Sequence, residues 1–389
     1  MNSNDPKRWL QRIHALDNRA PLRIMNVCGG HERSITLAGV RQALPPQIAL
    51  IPGPGCPVCV CPEEDIVLAI RLALQRQALV VAFGDLLRVP TNLPKGEPRS
   101  LEQARAAGGE IRPIASPQEA VATAHANPQR SVVFFAAGFE TTMAPIAAML
   151  LQGVPDNLSI LLSGRLTWPA VAMLLASETP GFDALVAPGH VATIMGPEEW
   201  AFVVQQHQLP AAVAGFETAS LLAAFYSLRR QQLTARPFLD NCYPQVVRPG
   251  GNPGAKHCLE QAFRIGDANW RGIGIIPNSG YHLAPAWSHH DARARYPELA
   301  AEERHRHGAM PPGCDCAQVV LGRIYPDQCR LYGNPCQPRN PIGPCMVSDE
   351  GACRIWWSAG ARRKAAAARG TPPDSIALVK RSTQPIDER

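Results

Sequence analysis

From Leu22 onward the chain alternates short apolar runs with longer stretches in which apolar residues recur at every third or fourth position. The runs at 22–27, 48–51, 79–83, 132–136, 159–162, 184–187, 211–214 and 272–276 are four to six residues long and mostly apolar. That is the pattern of strands covered on both faces. The stretches at 64–75, 101–107, 117–125, 143–151, 168–177, 197–206, 218–233 and 255–263 carry the helical period. Strand, helix, strand repeated this often predicts an α/β fold of parallel sheets joined by right-handed crossovers.

The residues that break this pattern gather just past the apolar runs. Cys28-Gly29-Gly30-His31 follows the first run, a Gly-Pro-rich turn with Cys56-Pro57-Val58-Cys59 the second, and Gly84-Asp85 the third. Gly138-Phe139-Glu140-Thr141-Thr142, Pro188-Gly189-His190 and Gly215-Phe216-Glu217-Thr218 follow later ones. In open α/β sheets ligands bind beyond the carboxyl ends of strands, so these loops are the expected site. The echo of GFETT at 138–142 in GFETA at 215–219 suggests two equivalent strand-to-helix corners, of two domains or of one sheet, although a glutamate there can also simply cap a helix. Residues 248–254, rich in Pro and Gly, read as a hinge, and 94–98 as an exposed loop. After Ala284 the helical and strand periods fade, and the last twenty or so residues read as a basic helix fraying into a disordered tail.

Composition narrows the class. A chain of 389 residues can hold two or three domains, and its sparse aromatics suit an α/β protein better than a disulfide-stapled secreted one. The net charge of +6 is spread along the chain with no long basic run, so no nucleic-acid partner is expected. The charged first twenty residues predict neither a signal peptide nor a membrane anchor. Twelve cysteines without a secretory signal point to the reducing cytoplasm, where clustered thiols serve metals or redox chemistry. No P-loop occurs, and Gly272-Ile273-Gly274 lacks the third glycine of a dinucleotide fingerprint.

The cysteines carry the candidate chemistry. Glycine beside Cys28 lets another group approach the sulfur closely. The Cys56/Cys59 spacing permits a reversible disulfide or two bonds to one metal ion, the plain alternative being two small buried apolar side chains. Cys314, Cys316, Cys329, Cys336, Cys345 and Cys353 fall within forty loop-rich residues. Four thiolates there suit zinc or an iron–sulfur cluster, and the lack of paired C-x-x-C knuckles leans towards iron–sulfur. Cys242 and Cys258 read as structural, His190 as either a site residue or a surface histidine, and His289, His290, His305 and His307 as solvated loop.

CGGH, GPGCPVC, GFETT, APGH and the series ending in MVSDEGAC, in this order from Leu22 to Trp357, resemble the hydrogenase maturation family HypD. The resemblance implies two α/β (Rossmann-like) domains and a cysteine-rich region with a [4Fe-4S] cluster, divided here at 1–127, 128–250 and 251–389. It implies assembly of the iron group, bearing cyanide and carbon monoxide, of [NiFe]-hydrogenases. The partners implied are a small HypC-type chaperone, HypE and HypF-type cyanide-delivery proteins and, indirectly, the hydrogenase large subunit. By position, Cys28 would bind the iron with His31 beside it, Cys56 and Cys59 would be the redox pair, and Glu140, Thr141 and Thr142 would wall the site. Cys316, Cys329, Cys336 and Cys353 would hold the cluster, with Cys345 variable among relatives and Cys314 additional. Two departures stand out: the family's second histidine after CGGH is Arg33 here, which can neither ligate nor release a proton, and Cys61 extends the motif to C-x-x-C-x-C. The rival reading is an iron–sulfur-dependent disulfide reductase, which gives no reason for CGGH or GFETT.

Overall fold

The apolar runs form strands because each is covered on both sides by helices whose apolar faces they meet. The computed structural model describes residues 5–304 and 310–361. Its strands are β1 (Leu22–Asn26), β2 (Ile48–Pro52), β3 (Leu79–Phe83), β4 (Ile111–Ile114), β5 (Val132–Gly138), β6 (Leu158–Arg165), β7 (Ala184–Pro188), β8 (Ala211–Ala214), β9 (Leu239–Asn241), β10 (Phe263–Trp270) and β11 (Gly274–Leu283). They build two sheets, one of order β2-β1-β7-β8-β9 and one of order β10-β11-β6-β5-β3-β4. The first is parallel throughout. The second is parallel from β4 to β6 and closes with the antiparallel pair β11 and β10. The α/β class is therefore as the pattern predicts.

The sheets cut across the expected division at 127/128 and 250/251. The five-stranded sheet takes β1 and β2 from the first segment and β7, β8 and β9 from the second. The six-stranded sheet takes β3 and β4 from the first, β5 and β6 from the second and the β10–β11 hairpin from the third. An apolar run announces a strand but not its neighbour. Here Ile24 pairs with Leu50 on one side and with Ala184 on the other.

Three strands lie outside the expected runs, and all three are at sheet edges. β4 exposes Arg112 and Pro113 between buried Ile111 and Ile114, β9 is three half-buried residues, and β10 mixes buried Phe263, Ala268 and Trp270 with exposed Arg264, Ile265 and Asp267. The run at 272–276 is only the start of β11. The helix expected at 197–206 is a 3₁₀ turn, Pro197–Trp200, followed by Ala201–Gln205. At the expected hinge, Gly250 and Gly251 take φ of +73° and +71°, and Asn252 caps the helix Pro253–Ala262.

Beyond β11 the chain returns to both sheets as short helices and turns around its cysteines, including Cys316–Val320, Pro344–Met346 and Ala352–Ser358. One core joins these cysteines to Cys56, Cys59 and Cys61, to the helix Glu63–Gln75 and to Trp270. The basic tail, His305 and His307 lie outside the described residues. Among the described residues no helix is long and apolar enough to cross a membrane.

Candidate functional site

The carboxyl ends of β1, β2, β7 and β8 converge on Cys28. This residue is the N-cap of the helix Gly29–Leu37, an element outside the stretches that the apolar pattern predicts. Each neighbouring glycine seats a different segment. A Cβ on Gly29 would lie 2.4 Å from the Glu350 carbonyl oxygen, and one on Gly30 would lie 2.6 Å from the Phe216 ring. One on Gly55 would lie 2.0 Å from the Val27 carbonyl oxygen and 2.5 Å from the Cys28 Cα. The glycines thus press the β2 loop, the GFETA corner and the carboxyl-terminal segment onto Cys28. A narrow cleft results, lined by Asn26, Cys28, Glu32, Cys56, Cys345 and Glu350. Burial, aided by the Glu350 carboxylate, pushes the Cys28 thiol up to about 12, so a metal binding there must displace its proton. Burial, then Asp85, raises Glu350 to about 7. Asp85 also accepts a hydrogen bond from Ser348 Oγ at 3.1 Å, which brings the Gly84-Asp85 corner of the second sheet to the same place.

His31 is fully buried and donates from Nε2 to the Ala214 carbonyl at 2.9 Å. That bond leaves Nδ1, which is buried without a hydrogen-bond partner, with its lone pair free. Burial lowers the ring to about 4, so it is neutral near pH 7. The Phe216 ring lies 4.9 Å from His31 and 4.0 Å from His190, so three separate motifs meet in one aromatic stack. Glu32, which the sequence noted only in passing, is a hub. Its carboxylate accepts from Asn26 Nδ2 at 3.0 Å, Arg41 Nη2 at 2.8 Å and Trp356 Nε1 at 2.6 Å. Arg33 is exposed on the far face of that helix, beside Leu37, Asp349 and Arg354.

Cys56 and Cys59 are joined as a disulfide. Cys56 caps the short turn Pro57–Val60, which packs against Pro344–Met346 and so sets the disulfide beside Cys345. Cys61 is buried 3.5 Å from Ser163 Oγ at the end of β6, and burial pushes its thiol up to about 12.

The sulfurs of Cys316, Cys345 and Cys353 lie within 4.8 Å of one another, all buried. Of the four expected ligands, Cys316 and Cys353 belong to this trio. Its third member is Cys345, which the resemblance had set aside as variable. Cys314, Cys329 and Cys336 are buried in the same core, and Cys336 Sγ accepts from the Ile342 amide at 3.4 Å. A Cβ on Gly343 would lie 2.4 and 2.5 Å from the Cys314 and Cys316 sulfurs, so only glycine lets the chain close over them. Six buried thiols gathered in one core suit a thiolate-bound metal or iron–sulfur group in donor type and number.

GFETT lies on the second sheet, where β5 packs against the Pro57–Val60 turn and Phe139 shares the core of Cys56 and Cys59. Glu140 heads the helix Glu140–Leu151 at the carboxyl end of β5, in the second sheet, and its Oε1 accepts from the Thr167 amide at 2.7 Å and the Thr167 hydroxyl at 2.9 Å. Burial raises it to about 7. Thr142 covers Gly138, and Thr141 is half-buried at the same corner. GFETT and GFETA therefore occupy matching strand-to-helix corners of two different sheets. Glu140 is buried in one, Glu217 is exposed in the other, and it is Phe216, not Glu217, that reaches the histidines.

The family model described as Hydrogenase formation hypA family, HypD, matches residues 5–360. The chain is 37% identical over 368 residues to the hydrogenase maturation factor HypD of Escherichia coli K12, covering 90% of this chain and 95% of that protein. It is 38% identical over 361 residues to that of Azotobacter vinelandii, covering 90% and 93%. Against the one from Cupriavidus necator it is 35% identical over 346 residues, covering 86% and 89%. With its motifs at the carboxyl ends of strands in two mostly parallel sheets and a match along almost its whole length, the chain belongs to the HypD family.

Proposed function

We propose that the protein is an assembly scaffold of [NiFe]-hydrogenase maturation, working with a small HypC-type chaperone. Its cargo is an iron ion that Cys28 and a cysteine of the chaperone hold while cyanide, brought by HypE and HypF-type proteins, and carbon monoxide are attached. The finished group passes on towards the hydrogenase large subunit. The observation that carries this reading is the shared cleft: Cys28, a disulfide cysteine and a thiol of the carboxyl-terminal centre line one space. A low-spin iron with carbon ligands favours soft thiolate anchorage, and a buried neutral His31 with a free Nδ1 lone pair can accept a proton or hydrogen bond beside it.

A [4Fe-4S] cluster held by four of the six buried cysteines would supply electrons one at a time. Cys316 and Cys353 are common to the trio and to the family pattern, with Cys345, Cys329 and Cys336 as the other candidates. The disulfide at Cys56 and Cys59 takes up two electrons and two protons to become a dithiol, and the packing of its turn on Pro344–Met346 gives a short route. Glu140, Thr141 and Thr142, at the end of the strand β5 that packs against the disulfide turn, would form part of the wall around the iron.

Infrared spectroscopy of the anaerobically purified complex with the cognate chaperone tests the reading. Cyanide and carbonyl stretches are expected in the wild type and absent in Cys28→Ala. Their absence from a wild-type complex with a full complement of cluster iron would favour the disulfide-reductase reading, in which Cys56 and Cys59 act on a substrate disulfide.

A further inference from the structure

Arg271 lies in the turn between β10 and β11, and its side chain is completely buried. Nη2 donates to the Pro90 carbonyl at 2.7 Å and pairs with Glu63 at 3.4 Å. The Arg271 backbone amide donates to the Val60 carbonyl at 3.0 Å, between Cys59 and Cys61. On its other side, a Cβ on Gly272 would lie 3.0 Å from the side chain of Ala317, next to Cys316. The residue is thus wedged between the disulfide turn and the cysteine centre. Its Nε and Nη1 are buried and make no hydrogen bond.

A guanidinium keeps its charge and its donors at any working pH, and two buried donors without acceptors are costly. The Glu63 carboxylate does not relieve them, because it is shared with the Asn92 amide at 2.9 Å and the Asn92 side chain at 2.7 Å. Trp270, the residue before Arg271, shares one core with Cys56, Cys59 and Cys61 on one side and with Cys314, Cys316, Cys329, Cys336, Cys345 and Cys353 on the other. An acceptor of negative charge among the cysteines is what these donors lack, and a metal–sulfur group ligated by thiolates is anionic.

We propose that Arg271 is a positioning residue of the cysteine centre: its free Nε and Nη1 serve the anionic cluster held there, its charge raises the cluster's reduction potential, and Glu63 sets how much of that charge remains. Hydrogen bonds to sulfur and local charge are the protein's levers on such potentials. The inference rests on the iron–sulfur reading given above.

The test uses the full chain, reconstituted anaerobically, as wild type, Arg271→Gln, Arg271→Lys and Glu63→Gln. Iron and sulfide content reports the cluster, and a potentiometric titration followed by electron paramagnetic resonance reports its potential. At equal loading, Arg271→Gln is expected to shift the potential negative, Arg271→Lys to shift it less, and Glu63→Gln to shift it positive. Unchanged potentials at full loading overturn the inference and leave the iron–sulfur reading standing. A wild type that takes up neither iron nor sulfide overturns both. Should Arg271→Gln fail to fold, Glu63→Gln decides, and a fully loaded Glu63→Gln protein without a positive shift overturns the proposal.

Discussion

At Gly30 one hydrogen atom separates a working stack from a clash. Gly30→Ala places a methyl 2.6 Å from the Phe216 ring, so the ring must leave its place between His31 and His190. A loss of about 1–3 kcal/mol is expected in urea unfolding, with altered His31 and His190 resonances as the local signature. His31 makes stability depend on pH. Its folded value of about 4 lies below the ordinary 6.5, so its contribution is complete above about pH 6.5 and is lost as pH falls towards 4. The stability difference between pH 7 and pH 4.5 should shrink by about 2–3 kcal/mol in His31→Gln. Glu140 and Glu350 act with the opposite sign. Raised to about 7, they favour the fold in acid and withdraw that support as pH rises from the ordinary carboxyl range through 7. Glu140→Gln should therefore flatten the fall in stability between pH 5 and pH 8.

At the scale of elements, the helix Gly29–Leu37 is held to the helix Ala352–Ser358 by a polar pin. Trp356 donates to Glu32, stacks on Tyr325 at 5.6 Å and lies under the Arg41 guanidinium at 5.0 Å. Arg41 in turn pairs with Glu32 at 2.8 Å. Trp356→Phe keeps an aromatic ring but removes the indole donor, and should cost about 1–2 kcal/mol. Glu32→Ala leaves Arg41, Asn26 and the indole without their acceptor and should cost about 3–5 kcal/mol. Thermal and urea unfolding check both. In Glu32→Ala, faster alkylation of Cys28 is expected as well, because the same helix pair closes the cleft. In the sequence this pin showed only as Glu32 within CGGHER and as one of two adjacent tryptophans. A carboxylate beside a cysteine motif has no pattern that names an indole more than three hundred residues away.

For the whole molecule the decisive fact is that neither sheet is built from one continuous stretch of chain. A fragment of residues 1–127 contains β1 and β2 of one sheet with β3 and β4 of the other, and lacks β7, which would cover β1, and β5, which would cover β3. It should be unfolded, with collapsed amide dispersion in its proton–nitrogen spectrum. Mixing it with residues 128–389 should restore structure if the segments complement each other. Independent folding of 1–127 would contradict this topology.

The local code determined the central strands and most of the longer helices, but not the edge strands β4, β9 and β10 or the helix Gly29–Leu37. Apolar runs such as 132–136 and 211–214 read as buried strands, and the glycines, prolines and cysteines past the ends of such runs marked the expected site, because glycine and proline interrupt a strand and glycine lets another group approach a sulfur closely. The cysteine motifs likewise announced a thiol site. Only the tertiary structure decided which strands are neighbours, since hydrophobic burial is satisfied by any apolar partner and the pairing of β1 with β7 is settled by global packing. The same holds for the site's composition. It brought Phe216 to His31 and His190, put Cys345 with Cys316 and Cys353, set Glu140 on the other sheet, and buried Arg271 beside the disulfide turn. These contacts join residues far apart in the chain, and their energies exist only once both sheets have closed.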